Sequence, residues 1–103
     1  MSSLDVTIRQ RLIQLLTRSF RSSRELAGLL AIPERQVEDH LSHVVRSIAR
    51  DPDRRFVLRP SVCGDCGFVF RERTRLTRPS RCPRCRSEDI AAPQYGIEPA
   101  AYR

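Results

Sequence analysis

Residues 62–67 read VCGDCG and residues 81–87 read RCPRCRS, and together they hold all four cysteines of the chain. Two residues separate the cysteines within each pair, and fifteen residues lie between the pairs. This spacing is typical of a zinc site, because a two-residue spacer lets both thiolates of a pair turn toward one ion. Two such turns supply the four sulfurs of a closed tetrahedral centre. We therefore predict one structural Zn²⁺ with four cysteine ligands: Cys63, Cys66, Cys82 and Cys85.

Two other uses of the cysteines remain open at this stage. Disulfides are disfavoured in the cytosol, which keeps thiols reduced. The first residues, MSSLD, lack the charged and apolar regions of a signal peptide, so we expect a cytoplasmic location. An iron–thiolate electron carrier could use the same two turns, and the visible absorption of ferric iron would distinguish it from a zinc protein.

The cysteine region has few apolar residues of its own. Between its flanking segments it offers only Phe68, Val69, Phe70, Leu76 and Ile90. A piece this small cannot bury enough apolar surface to fold alone. We therefore expect the metal to supply folding free energy here.

The N-terminal half of the chain has the pattern of three helices. Apolar residues recur at helical spacing over residues 5–17. Ser22 and Glu25 form a capping box that starts a second helix over residues 23–30. Pro33 opens a third helix, which runs to about Arg50. Short turns between three helices predict a helix-turn-helix, and the alternative is an αα-hairpin plus one helix that serves only as a packing module.

The third predicted helix has two distinct faces when its residues are placed about 100° apart. Its core stripe consists of Val37, Leu41, Val44 and Ile48. The opposite face holds Arg35, Asp39, Ser42, His43, Arg46 and Arg50. Arginine and small polar side chains suit contacts with phosphates and base edges. The candidate DNA contacts on this helix are Arg35, Gln36, Ser42, His43 and Arg46. The acidic residues of the helix would equally suit docking to a protein.

Alternating and aromatic residues after the third helix predict short strands. We expect strands over residues 54–59, 67–73 and about 90–97, the last as a strand or an extended tail. The predicted fold is α+β: a three-helix, winged-helix-like helix-turn-helix domain over residues 1–53, followed by a β zinc ribbon with a C-terminal extension over residues 54–103. No glycine-rich linker separates them, so we expect close coupling.

The charge of the chain favours a polyanionic partner. Its formal charge is +7, its pI is about 10.5, and all nineteen of its lysine and arginine positions are arginine. Seven arginines lie between residues 71 and 86, against one acid. We predict backbone contacts to nucleic acid from Arg71, Arg73, Arg75, Arg78 and Arg81. The alternatives are a solvated loop, or arginines that stabilise the −2 charge of a zinc–tetrathiolate centre. Phe68, Phe70 and Tyr95 are candidates for stacking on bases, with core packing the preferred prediction for the two phenylalanines.

Several stretches resemble a known family, the small archaeal and bacterial predicted transcriptional regulators that fuse a helix-turn-helix to a zinc ribbon. The similar stretches, in order, are TIRQ at 7–10, EL at 25–26, VEDHLSHV at 37–44, CGDCGFVF at 63–70 and RPSRCPRCRS at 78–87. The resemblance covers roughly residues 5–98. It implies a DNA-binding regulator, by analogy of fold.

The resulting expectation is a cytoplasmic, DNA-binding transcriptional regulator that binds double-stranded DNA, with homodimerisation as a further expectation. The alternative is a protein-interaction adaptor of the transcription or RNA machinery that uses the zinc ribbon. We expect no enzymatic activity, because a four-cysteine site has no open coordination position for a substrate. We expect no membrane partner, since no run of eighteen apolar residues occurs.

Overall fold

The computed structural model describes residues 3–73 and 75–100. Within those residues, three helices precede four short strands, which confirms the predicted α+β order. The helices are α1 (Ser3–Arg18), α2 (Ser23–Leu30) and α3 (Glu34–Ala49). The strands are β1 (Arg54–Arg59), β2 (Val62–Cys63), β3 (Ile90–Ala91) and β4 (Gln94–Pro99). No helix among the described residues is long and apolar enough to cross a bilayer.

The ends of α2 follow from local sequence. The Ser22 hydroxyl accepts from the Glu25 N–H at 3.2 Å, and the Ser22 N–H donates to the Glu25 carboxylate at 3.0 Å. This reciprocal pair confirms the predicted capping box. The helix ends at Leu30, and its C-cap residue Ala31 has a left-handed backbone at φ 56°. Pro33 caps α3 rather than opening it, because its ψ of 148° is extended.

Two antiparallel strand pairs carry the C-terminal half. β1 pairs with β4 in a register from Arg54 opposite Pro99 to Arg59 opposite Gln94. β2 pairs with β3 in a second two-stranded sheet, and both strands lie between β1 and β4 in the sequence. Arg21, in the connection between α1 and α2, exchanges two backbone hydrogen bonds with Tyr95 of β4, at 3.0 and 2.8 Å. β4 is therefore bonded on both sides, to β1 and to the segment after α1.

The predicted strand over residues 67–73 is wrong in its extent. Only Val69 forms a bridge, to Val62. The chain then turns, with the Arg71 N–H bonded to the Val69 carbonyl and the Arg73 N–H to the Phe70 carbonyl. Those local bonds replace the ladder that alternation suggested. The expected C-terminal strand is present as the separate strands β3 and β4.

Two hydrophobic clusters hold the molecule together. The main cluster consists of Leu12, Leu16, Leu26, Leu30, Val37, Leu41, Val44, Ile48, Tyr95 and Ile97. The second consists of Cys63, Phe70, Cys82 and Ile90, with Phe68 packed against it. The predicted core stripe of the third helix is confirmed, because all four of its members are buried. Tyr95 and Ile97 join the helical cluster from β4, so the strand pair that frames the ribbon is anchored on the helices.

Candidate metal centre and nucleic-acid interface

The four cysteine sulfurs converge on one point. All four Sγ atoms lie within 4.8 Å of one another, and the Cys63–Cys85 and Cys66–Cys82 sulfur pairs are each 3.6 Å apart. Tetrahedral Zn–S bonds of about 2.3 Å place sulfurs about 3.8 Å apart, so the set fits one zinc ion. A disulfide would need a sulfur separation of about 2.05 Å, which these distances exclude. The four cysteines therefore form one structural zinc site.

The two cysteine turns have the same backbone design. The Gly67 N–H donates to the Cys63 carbonyl at 3.0 Å, and the Arg86 N–H donates to the Cys82 carbonyl at 2.9 Å. The residue after the second cysteine of each pair is left-handed: φ is 76° at Gly67 and 64° at Arg86. Glycine adopts this conformation without a steric penalty, whereas arginine does so at a cost. The geometry thus repeats although the residue type does not.

Protons are shared unequally among the thiols. Burial disfavours the Cys82 thiolate, but the N–H groups of Cys85 and Arg84 and two neighbouring thiols outweigh it and lower the Cys82 pKa to about 7. At Cys85 the Ser87 N–H favours the thiolate, yet burial and the other three thiols prevail and raise the pKa to about 12. A metal ion binds the cysteines as thiolates, so its binding will displace the thiol protons into solution.

A small aromatic cluster supports the centre from one side. The rings of Phe68 and Phe70 meet edge to face, with centroids 5.1 Å apart at 86°. Phe70 packs with Cys63, Cys82 and Ile90, which brings apolar cover to the two buried ligands. Cys66 and Cys85 are exposed. Core packing, the preferred prediction for the two phenylalanines, is confirmed.

The outer face of α3 presents most of the predicted helix contacts to solvent. Arg35, Gln36 and Arg46 are exposed, and Ser42 and His43 are half-buried. The Ser42 hydroxyl donates to the Asp39 carbonyl at 2.7 Å, one turn back in the helix. Their assignment to nucleic acid stays a prediction.

The acidic residues of α3 are not all on that face. Glu34 accepts a hydrogen bond from the Ser23 hydroxyl of α2 at 3.0 Å. Glu38 is half-buried, and burial together with the carboxylates of Glu34 and Asp39 raises its pKa. Asp39 is exposed beside the candidate contacts. Two of the three acids therefore lie on the flank toward α2.

The two histidines of α3 have different surroundings. His40 is 8% exposed, and its Nδ1 accepts from the Arg9 Nε of α1 at 3.2 Å. The positive charge of Arg9, partial burial and the charge of Arg46 lower the pKa of His43. His43 is consequently neutral at pH 7, with one ring nitrogen that donates and one that accepts.

Four of the five predicted arginine contacts of the ribbon are exposed: Arg71, Arg75, Arg78 and Arg81. Three of the five have partners within the ribbon. Arg73 donates to the Thr77 side chain at 3.2 Å, Arg78 donates to the Ile90 carbonyl at 3.2 Å, and Arg81 pairs with Glu88 at 3.3 Å. Among the described residues of this segment, 67–73 and 75–81, no strand forms, so the alternation of Arg71, Arg73 and Arg75 in sequence does not align them on one strand face. At least three of these arginines also brace the ribbon.

Two features of the site were not predicted correctly. Tyr95, considered as a base-stacking side chain, is 0% exposed, and its hydroxyl donates to the Leu76 carbonyl. Arg24 of α2, which the sequence did not single out, lines a cleft of about 260 Å³ with Glu34, Arg78 and Ala92. In the sequence, only the position of Arg24 in the first turn of α2 indicates that it could contact a ligand. This cleft joins the helices to the ribbon.

Comparison with known proteins assigns both halves of the chain to one family. Residues 7–57 match the PF0610-like N-terminal domain, and residues 60–100 match the PF0610 rubredoxin-like zinc beta-ribbon domain. The solution NMR structure of protein PF0610 from Pyrococcus furiosus is similar, with a TM-score of 0.76, 31% sequence identity and 90% of each chain covered. Among curated proteins, none matches the chain. With both domains and the solved structure in agreement, the chain belongs to the PF0610-like family, a helical N-terminal domain joined to a zinc ribbon.

Proposed function

We propose that this chain is a DNA-binding transcriptional regulator of the winged-helix type, with α3 as its recognition helix. The observation that carries the proposal is the pairing of β4 with both β1 and Arg21. In a winged helix, a segment between the first two helices pairs with a hairpin that directly follows the recognition helix. β1 starts at Arg54, shortly after α3, and its pairing with β4 supplies the two strands of such a hairpin.

The zinc ribbon occupies the position of the wing loop in this arrangement. The metal-binding residues lie between the end of β1 at Arg59 and the start of β4 at Gln94. A loop of that length with so few apolar residues would be mobile without a cross-link. The bound zinc would fix this loop. The arginines of the loop would then reach the DNA backbone beside the recognition helix.

The outer face of α3 offers suitable chemistry for a major groove. Arg35 and Arg46 can donate to guanine edges or phosphates, and neutral His43 can donate or accept. Asp39 can accept from a cytosine amino group, which gives the exposed acid of this face a role. The hydrogen bond from Ser23 occupies the Glu34 carboxylate near the start of the helix.

The cleft between the helices and the ribbon would add a phosphate contact from both modules. Arg24 and Arg78 line it from opposite elements, two guanidinium groups against the one carboxylate of Glu34, which accepts the hydrogen bond from Ser23. A phosphate between the two guanidinium groups would receive charge-assisted hydrogen bonds from both. Arg71 and Arg75 would continue these backbone contacts on the ribbon.

The test is selection of bound sequences from a random duplex pool, with an RNA competitor present. We expect a preferred duplex sequence, arranged as two related half-sites if the protein acts as a dimer. Arg35→Ala and Arg46→Ala should each cost about 1–3 kcal/mol on that sequence and relax its specificity. Arg71→Ala and Arg75→Ala should weaken all duplexes alike and lower the salt dependence by about one unit each. Arg11→Ala, on α1, is the matched control and should change neither.

An adaptor role is the second candidate, and it has its own supporting feature. Phe68, Val69, Phe70 and Pro83 contribute to a cleft of about 470 Å³ on the ribbon. A partner protein could cover the half-buried Phe68 and Val69 and the exposed Pro83. A partner that co-purifies after nuclease treatment, with no duplex affinity in the isolated chain, would favour this role and contradict the regulator.

A further inference from the structure

A second basic cleft lies on α1, at its junction with the start of β1. It has a volume of about 540 Å³ and receives three arginines: Arg11 and Arg18 from α1, and Arg54 from β1. Gln14 adds an amide, while Ile13 and Leu15 supply an apolar part. Among the described residues that line the cleft, none is acidic. Pockets of this volume hold small organic ligands.

The arginines are held on rigid supports. α1 is fixed by Leu12 and Leu16, which are 0% and 1% exposed in the main cluster. Arg11 and Arg18 are seven residues apart, so they lie on the same side of the helix and about 10 Å apart along its axis. The Arg54 Nε donates to the Asp51 carboxylate at 2.7 Å, which orients that guanidinium. A guanidinium has four further N–H donors for a ligand.

We propose that this cleft binds a small phosphorylated organic anion, of the size of a nucleoside di- or triphosphate. Planar guanidinium groups match phosphate oxygens in bidentate pairs, and the two α1 arginines are spaced for a chain of phosphates. Ile13 and Leu15 would contact the organic part. The mixed lining favours such a ligand over inorganic phosphate, which would leave the apolar part uncovered.

The site is distinct from the proposed DNA surface. Arg11, Arg18 and Arg54 belong to α1 and β1, whereas the candidate DNA contacts lie on α3 and the ribbon. The ligand would nevertheless contact α1, whose core residues pack in the same cluster as those of α3. The proposal concerns ligand binding alone and does not depend on DNA binding.

The experiment is calorimetric titration of the full, zinc-loaded chain with ATP and with inorganic tripolyphosphate, in magnesium-free buffer at fixed ionic strength. We expect ATP to bind more tightly than tripolyphosphate, with amide shifts in NMR spectra at Gln14 and Leu15. Arg11→Gln with Arg18→Gln should weaken ATP binding by about tenfold or more. Arg35→Gln, an exposed arginine of α3, is the control and should leave ATP binding within about twofold of the parent chain. The variants alter exposed positions, and their melting temperatures will verify that they fold.

Four outcomes would overturn the proposal. The first is the absence of measurable ATP binding. The second is tripolyphosphate binding as tight as that of ATP, which would remove the role of the apolar part. Equal loss of ATP binding in Arg35→Gln would show general charge attraction. Equal loss of duplex and ATP affinity in the Arg11, Arg18 variant would assign the cleft to nucleic acid.

Discussion

The hydroxyl of Tyr95 donates a hydrogen bond to the backbone carbonyl of Leu76. Tyr95 belongs to β4 and is fully buried in the main cluster. Leu76 lies between the two cysteine turns, in the arginine-rich segment, and packs against the same cluster. This pair therefore ties the arginine-rich segment to the helical core, independently of the metal.

Tyr95→Phe should weaken that connection. It removes the donor and leaves the Leu76 carbonyl without this bond, while the buried ring is retained. We expect a loss of about 0.5–1.5 kcal/mol in the free energy of unfolding. Urea denaturation of the zinc-loaded chain measures it. Tyr95→Leu also disturbs the packing of the core, so it should lower the free energy of unfolding further. Equal stability of Tyr95→Phe and the parent chain would contradict a role for this hydrogen bond.

Alkaline pH should also act through Tyr95. Burial raises its pKa to about 12, the Ser23 hydroxyl opposes the shift, and the carboxylates of Glu38 and Glu34 add to it. The raised pKa means that folding favours the neutral phenol. Its contribution is fully present below the unfolded pKa of 10.0 and is lost as pH rises toward about 12. We expect the free energy of unfolding to fall more steeply between those values in the parent chain than in Tyr95→Phe. Parallel curves would contradict this linkage.

The parts of the fold that could be predicted are those with a local code. Cys63 and Cys66, and likewise Cys82 and Cys85, are neighbours in sequence, so their spacing alone specifies a turn that can bind metal. The capping box at Ser22 and the apolar stripe of α3 are equally local. Each of these depends on residues within a few turns of one another.

The pairings that could not be predicted are distant in sequence. Arg54 lies opposite Pro99, and no local pattern specifies a register over that separation. From the sequence, Tyr95 is therefore expected only in a short strand or an extended tail, although it lies at the centre of the core. The irregular path of residues 71–73 was missed for a different reason: the alternation of arginines resembled a strand, while the N–H groups of Arg71 and Arg73 bond to the nearby carbonyls of Val69 and Phe70.

Gly96 is required by a close approach of Phe20. A Cβ at Gly96 would lie 2.8 Å from two carbon atoms of the Phe20 ring. The ring is also held by the Arg59 guanidinium, whose Cζ lies 3.6 Å from the same ring centroid. Gly96→Ala should therefore cost about 1–3 kcal/mol in the free energy of unfolding. Chemical denaturation measures this cost.

Gly28→Ala is the matched control for that substitution. A Cβ at Gly28 meets nothing within 4 Å, and the position is inside α2, so the change should stabilise the chain by about 0.4–1 kcal/mol. Combining Gly96→Ala with Phe20→Ala should reduce the cost of the alanine, because the two sites are in contact. Strict additivity would contradict the steric explanation.

The left-handed residues of the two cysteine turns predict opposite effects of substitution. Arg86→Gly should relieve a conformational cost of about 1–2 kcal/mol, offset by about 0.5–1 kcal/mol of additional entropy in the unfolded chain. A net gain of up to about 1.5 kcal/mol is expected. Gly67→Ala, at the equivalent position, should destabilise by about 1 kcal/mol. Thermal unfolding at fixed free zinc measures both effects. Arg84→Gly is the control for the loss of one positive charge. If Arg86→Gly destabilises the chain more than Arg84→Gly does, the two turns are not equivalent.

Removal of zinc should unfold the ribbon and leave the helices largely intact. The second cluster contains two of the ligands, Cys63 and Cys82, and has few other buried groups. The main cluster draws on the three helices and β4, so it does not need the metal. We expect chelation, Cys63→Ser or Cys82→Ser to remove the dispersed NMR signals of residues 61–70 and 82–91 while the far-ultraviolet helix signal persists. Ser80→Ala, an exposed change in the same ribbon, is the control. Retained zinc and unchanged melting in Cys82→Ser would contradict the metal's structural role, whereas loss of the helix signal on chelation would show that the two clusters unfold as one unit.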